Sequence, residues 1–228
     1  MLLTFDTATP SVTVAVCAPV DDTGTVQVRA AMDVVDARRH GELLAPGIRA
    51  TLDRASITTA ELTHVVVGTG PGPYTGLRVG IATAHALARA LGIACHGLPT
   101  LDAIAATSER RTPFLVASDA RRKEVFWARY QDADTRSGEI AVSRPADLGP
   151  AIDGLPVLGQ GAALYPDELG GKDQEPEPLY PTAAALGRLA ARALASGAEL
   201  AEARPLYLRR PDAQPPAVPK RVAQERYA

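Results

Sequence analysis

The stretch Gly68-Thr-Gly-Pro-Gly-Pro-Tyr-Thr-Gly-Leu-Arg-Val-Gly80 constrains this chain more than any other. The apolar run Val65-Val66-Val67 before it predicts a buried strand. The Ala/Leu-rich run from Ile81 to Leu91 behind it predicts a helix beginning near Tyr74. Gly68, Gly70 and Gly72 allow close approaches that a β-carbon would forbid, and Pro73 suits a helix start. A P-loop would need G-x-x-x-x-G-K-[ST], but Leu77-Arg78 follows Gly76. A dinucleotide fingerprint counted from Gly68 would need glycine at 73, where proline stands. A structural turn and an anion site at the helix N-terminus both fit what remains.

Gly76, Gly80, Ala84 and Ala88 recur every four residues and form one smooth stripe on the predicted helix. Such a stripe lets another backbone come close, either in the chain's own sheet or in a second subunit. Leu77 and Ile81 lie on other parts of the circumference.

The rest of the chain alternates strands and helices. Leu2–Asp6 and Val12–Val16 predict a hairpin with Thr7–Ser11 at its tip, and a third strand covers Thr25–Ala31. Residues 40–55 predict a helix through Leu43, Leu44, Ile48 and Leu52, kinked or delayed by Pro46-Gly47. A strand at 93–95 leads to a helix over 101–107 that Thr100 would cap. Phe114–Ser118 and Val125–Tyr130 repeat the strand, acidic turn, strand opening of the first half. Val157-Leu158 predicts a strand into a glycine turn, residues 166–181 a loop, and Thr182 caps a helix to Ser196 whose buried face is Leu186, Leu189, Ala190 and Ala193. The proline-rich stretch beyond Pro211 predicts a mobile tail.

Hydrophobic residues make up 46% of the 228, enough for a substantial core, and the net charge of −2 offers no global field for nucleic acid. Cys17 and Cys95 are too few for a disulfide framework or a cysteine zinc site. No apolar run approaches a membrane span or signal peptide, so a soluble, cytoplasmic protein is expected. No nucleophile–base pair or carboxylate pair stands out, and His64 and His85 have no partner at ligand spacing.

The run from Gly68 to Gly80 resembles the signature of the TsaB (YeaZ) family, G-x-G-P-G-S-F-T-G-x-R-I-G, with Pro73-Tyr74 in place of Ser-Phe. Arg39-His-Gly-Glu-Leu-Leu-Ala-Pro-Gly-Ile48 is similar to H-S-x-x-L-L-P-x-I, with Gly41 for serine and one extra residue before the proline. Asp119-Ala-Arg-Arg-Lys-Glu-Val-Phe-Trp-Ala128 is similar to D-A-R-x-x-E-V-Y-x-A, and Pro205-Leu-Tyr-Leu-Arg209 to the closing P-x-Y-L-R. The resemblance implies an α/β actin-like ATPase (ASKHA) fold of two ribonuclease-H-like subdomains with mixed sheets. These would divide as 1–105 and 106–210, with 211–228 as tail.

It further implies a non-catalytic partner of TsaD in forming N6-threonylcarbamoyladenosine beside the anticodon of tRNAs reading ANN codons. TsaD, TsaE and TsaC would supply the chemistry, and tRNA would be met through the complex. TsaD carries an H-x-x-x-H metal pair; here His96 is followed by Thr100, so no metal is expected. The family places pairing with TsaD, or with a second copy, on helices 40–55 and 74–91. The expected interface is Leu44, Ile48, Gly76, Leu77, Gly80, Ile81, Ala84 and Ala88. Likeness to actin-like ATPases marks Asp6, Thr7, Gly159 and Gly161 as a degenerate nucleotide site, with no tight cofactor and room only for weak ATP or ADP binding. The competing readings are a nucleotide-dependent enzyme on the same scaffold and an M22-type metallopeptidase, which lacks its ligand pair here.

Overall fold

A computed structural model describes residues 1–152, 154–170 and 176–208. The expected tail, and part of the expected 166–181 loop, lie outside the described residues. In chain order the first elements are β1 (Leu2–Asp6), β2 (Ser11–Val20), β3 (Val26–Val35), α1 (His40–Ala55), β4 (His64–Gly68), α2 (Tyr74–Leu91), β5 (Ala94–Leu98) and α3 (Thr100–Ser108). There follow β6 (Phe114–Asp119), β7 (Val125–Asp132), β8 (Thr135–Ser143), α4 (Gly149–Ile152), β9 (Val157–Leu158), α5 (Gln160–Leu164), α6 (Pro166–Leu169) and α7 (Ala183–Ala195).

The first sheet has the order β3-β2-β1-β4-β5, antiparallel through the hairpins and parallel across β1, β4 and β5. Side chains alternate across it, as the strand period requires. Leu3, Phe5, Val65 and Val67 meet Leu44, Ile48, Leu77 and Ile81 of α1 and α2 on one face. Leu2, Ala15 and Val66 meet Ala183, Leu186 and Ala190 of α7 on the other. The second sheet runs β8-β7-β6-β9, mixed in the same way. Leu101 and Ile104 of α3 cover one of its faces beside Phe114 and Tyr130, and Leu148, Ala162 and Leu169 cover the other. The arrangement is the α/β actin-like fold of two mixed sheets that the resemblance implied.

Four expectations need correction. Pro46 sits inside α1 and does not delay its start, which falls at His40; it lies on the exposed side, where water reaches the carbonyl its missing N–H leaves unpaired. Thr100 is the first residue of α3, and its side chain makes no cap bond. Leu189 and Ala193 are half-buried, and the inward face of α7 runs through Ala183, Leu186, Gly187 and Ala190 instead. Finally, α7 packs on β1 and β2, so the first lobe draws on chain well beyond the expected division at 105/106.

Candidate functional site

Asp6 ends β1 and is fully buried. Its Oδ1 accepts the Ala8 N–H at 2.6 Å, and its Oδ2 accepts the Thr100 hydroxyl at 2.7 Å. Thr100 Oγ1 in turn accepts the Gly70 N–H at 3.0 Å. One carboxylate therefore ties the β1–β2 turn, the glycine loop and the start of α3 together. Gly68 makes room for it, since a β-carbon there would overlap Asp6 Oδ2. Burial pushes the Asp6 carboxyl up to about 6, against the hydrogen bonds from Thr100 and Ala8. Thr7 Oγ1 donates to the Gly76 carbonyl at 2.7 Å.

This geometry shows where the four residues of the expected nucleotide site lie. Asp6 and Thr7 spend their side chains inside the fold, where each already holds a partner. Gly159, at φ +98°, and Gly161 lie against the backbone of Ala117, where a β-carbon on either would collide. Of the four, Thr7 borders the wider part of the cleft between the lobes, and the other residues facing the cleft were not expected. Thr9, Pro10, Pro73, Ser118, Arg121 and Gln160 line its narrow part, a space of about 10 Å³, the room of a single water. A wider part of about 240 Å³ opens beside it against Arg38, His40 and Arg121. Ser118 is buried with its hydroxyl unpartnered among the described residues. His40 Nε2 lies 2.8 Å from the Thr9 carbonyl, which fixes the start of α1 to the same loop.

The expected partner interface also changes. Gly76 and Gly80 pack against Thr7, and a β-carbon at Gly76 would overlap the Thr7 carbonyl. Leu44, Ile48, Leu77, Ile81, Ala84 and Ala88 are all buried within the single chain, Ala84 completely. The smooth stripe thus serves close approach of α2 to β1 and β4. What the neighbouring helices α1 and α2 turn outward is a different set: Ala45, Arg49, Ala82, Ala86 and Arg89, with Leu43, Val79 and Leu87 half-covered. At the N-terminal end of α2, Tyr74 and Tyr207 stack with centroids 4.9 Å apart, both partly exposed. Arg78 lies over the Tyr74 ring and donates to Tyr207 Oη at 3.2 Å.

The turn Arg121-Arg122-Lys123 is exposed, and all three residues have positive φ, held by the Asp119 carboxylate on the Arg121 N–H at 2.7 Å. His96 stacks on His64 at 5.6 Å, and no group of three potential metal ligands occurs among the described residues. Sequence reasoning did not find the Asp6–Thr100–Gly70 network, because its members are up to 94 residues apart. The one visible signal was an acid closing an apolar strand.

The sequence matches the family described as TsaD: tRNA N6-adenosine threonylcarbamoyltransferase over residues 34–162. An uncharacterised protein of Mycobacterium leprae is 44% identical over 94% of this chain, and the chain spans only 56% of that relative's length. Escherichia coli TsaB, a protein named for tRNA threonylcarbamoyladenosine biosynthesis, is 30% identical over 91% of this chain and 94% of its own. The solved structure of YeaZ from Pseudomonas aeruginosa superposes with a TM-score of 0.75 at 28% identity, covering 91% of this chain and 99% of that one. With a likeness that runs almost end to end in both sequence and structure, this chain belongs to the TsaB (YeaZ) family.

Proposed function

We propose that this chain acts in the formation of N6-threonylcarbamoyladenosine in tRNA as a non-catalytic partner of a TsaD-type transferase. The observation that carries this reading is the near-full-length likeness to E. coli TsaB. The site geometry supports it. Thr100 stands where the resembled transferase has its second metal-binding histidine, and its hydroxyl is committed to Asp6 and the Gly70 N–H. The acid that a nucleotide enzyme would present to a metal–phosphate is fully buried.

On this reading the chain works in the cytoplasm, pairs with TsaD, in a larger assembly with TsaE, or with a second copy, and meets tRNA through that complex. The outward faces of α1 and α2 are the proposed docking surface, since their half-covered Leu43, Val79 and Leu87 offer apolar area beside Tyr74 and Tyr207. Among the described residues no helix is long and apolar enough to cross a membrane. The test is reconstitution with the TsaD, TsaE and TsaC proteins of the same organism. Modified adenosine, quantified by mass spectrometry of digested tRNA, should fall at least tenfold when this chain is left out. Undiminished product without it would overturn the proposal.

One observation favours a second role for the cleft, weak binding of ATP or ADP. Ser118 offers a buried, unpartnered hydroxyl beside Arg121 and the start of α2. Calorimetry with ATP and Mg²⁺ should then give a weak signal that Arg121→Ala removes, and no heat at millimolar nucleotide would dismiss this role.

A further inference from the structure

The wider part of the cleft, about 240 Å³, lies where two long helices begin. α1 has 16 residues and α2 has 18, and neither carries a side-chain cap at its start. The N–H groups of His40 and Gly41 in α1, and of Thr75 and Gly76 in α2, have no hydrogen-bond partner among the described residues. All four residues line the pocket. The two helix starts are also close together, since a β-carbon on Gly76 would lie 3.5 Å from His40 Nε2. Free amides and the helix dipole both put partial positive charge at such ends.

The side chains add charge of the same sign. Arg38 and Arg121 line the pocket, and no Asp or Glu does. Arg121 meets Asp119 at 3.2 Å, but the Arg38 guanidinium has no acid partner among the described residues. Nearby Asp36 is outside the lining and holds Arg39 at 2.9 Å, and Glu42 in the first turn of α1 is outside it too. The buried Asp6 beneath Thr7 spends its oxygens on Ala8 and Thr100. A further observation does not depend on the helix ends. Ser118 is 5% exposed, its hydroxyl has no partner among the described residues, and it lines the narrow part of the same cleft.

Water can meet bare helix ends one at a time. That would not gather two of them, an unpaired arginine and a buried free hydroxyl around one cleft. The volume is below the roughly 300–1,000 Å³ of pockets that enclose whole small molecules, so it suits a compact anion. We propose that the wider part of the cleft is a binding site for a phosphate group, as free phosphate or as the terminal phosphate of a larger ester. First-turn N–H groups of both helices donate to its oxygens, Arg38 supplies the unpaired charge, and the Ser118 hydroxyl is reached through the narrow part. The assignment goes beyond the weak nucleotide role above, because it needs no adenosine.

The probe is inorganic phosphate at constant ionic strength, titrated into the full chain and followed by amide shifts. Saturable binding is expected, with the largest shifts at His40, Gly41, Thr75 and Gly76. Arg38→Gln should weaken it about tenfold. Gly41→Asp sets a carboxylate at the start of α1, where a β-carbon meets no atom within 4 Å. It should keep the parental circular dichroism, melt at or above the parental temperature and bind no phosphate, while Gly41→Ala still binds. ATP should shift the same amides as phosphate, and adenosine should shift none of them. Absence of saturation, shifts mapping elsewhere, parental affinity in Gly41→Asp or an equal loss in Gly41→Ala would each overturn the assignment. ATP binding without phosphate binding would also overturn it and leave the nucleotide role standing. If neither binds, both fall.

Discussion

Asp6 and Thr100 lie 94 residues apart in sequence and share a single hydrogen bond at 2.7 Å. The acid is fully buried, and its solvation comes from the Thr100 hydroxyl and the Ala8 N–H. Because burial raises its pKa from 3.8 to about 6, the folded chain holds this proton more tightly than the unfolded chain. The stabilisation that follows is fully present below about pH 4 and is lost as pH rises through about 6, a term on the order of 3 kcal/mol. Thr100→Val keeps the shape and removes both the donor to Asp6 and the acceptor for the Gly70 N–H. It should cost about 1–3 kcal/mol at pH 7.5, where the carboxylate is ionised, and distinctly less at pH 5, where it carries its proton. Urea unfolding at the two pH values checks this; equal losses would show that Thr100 does not act on the charged form. The apolar neighbours Leu2, Leu3 and Phe5 made β1 legible in the sequence. The partner that lets its terminal acid be buried was not, because a hydroxyl at a predicted helix start reads as a cap.

Helix α2 shows what periodicity does and does not carry. The four-residue spacing of Gly76, Gly80, Ala84 and Ala88 correctly placed them on one face, and Gly92 ends the helix at φ +68° as a C-terminal glycine should. Spacing names no neighbour, however, and the close backbone that fills the stripe is the loop at Thr7. The reverse failure befell β8, whose Arg136, Gly138 and Glu139 hid an edge strand that, among the described residues, pairs only with β7. For the partner surface the consequence is direct. Ala84→Trp places a bulky ring where no side-chain area is exposed, and overpacking of this kind costs about 1–3 kcal/mol or more. It should lower the melting temperature or unfold the chain, and so it reports on the core alone. Ala86→Trp, on the exposed side of the same helix, should keep the parental circular dichroism and melting temperature and lose pairing with TsaD. Size-exclusion chromatography of the mixed proteins reads this out, and full pairing in that variant would move the docking surface off α2.

At the scale of the whole molecule, the two strand-turn-strand openings at Leu2 and Phe114 gave away the two-sheet plan, but chain order misjudged which residues complete each sheet. Residues 183–195 come last among the described helices and yet close the first lobe, placing Ala183, Leu186 and Ala190 over Leu2, Ala15 and Val66. The tie is polar as well: Thr4 Oγ1 donates to the Ala183 carbonyl at 2.7 Å, and the Ala183 N–H donates to Thr13 Oγ1 at 2.6 Å. Thr13 also donates to Asp33 Oδ1, so α7 is stitched to three strands at its first residue. Helical periodicity could mark the apolar face of α7; only the tertiary crossing of the chain could say which sheet it meets. A fragment ending at residue 105 would therefore expose one whole face of its sheet. Burial of Leu186 alone contributes about 1.5–3 kcal/mol, with the facing side chains adding to it, against a net stability of about 5–15 kcal/mol for a typical domain. Residues 1–105 produced alone should accordingly show no cooperative thermal transition and no near-ultraviolet dichroism. The full chain should unfold with coincident near- and far-ultraviolet curves. Adding a peptide of residues 180–200 to the fragment should restore part of the transition, because it returns Leu186 and the Ala183 hydrogen bonds to the bare face. A fragment that melts cooperatively without the peptide would show that α1 and α2 hold the first sheet by themselves and that α7 only rests on it.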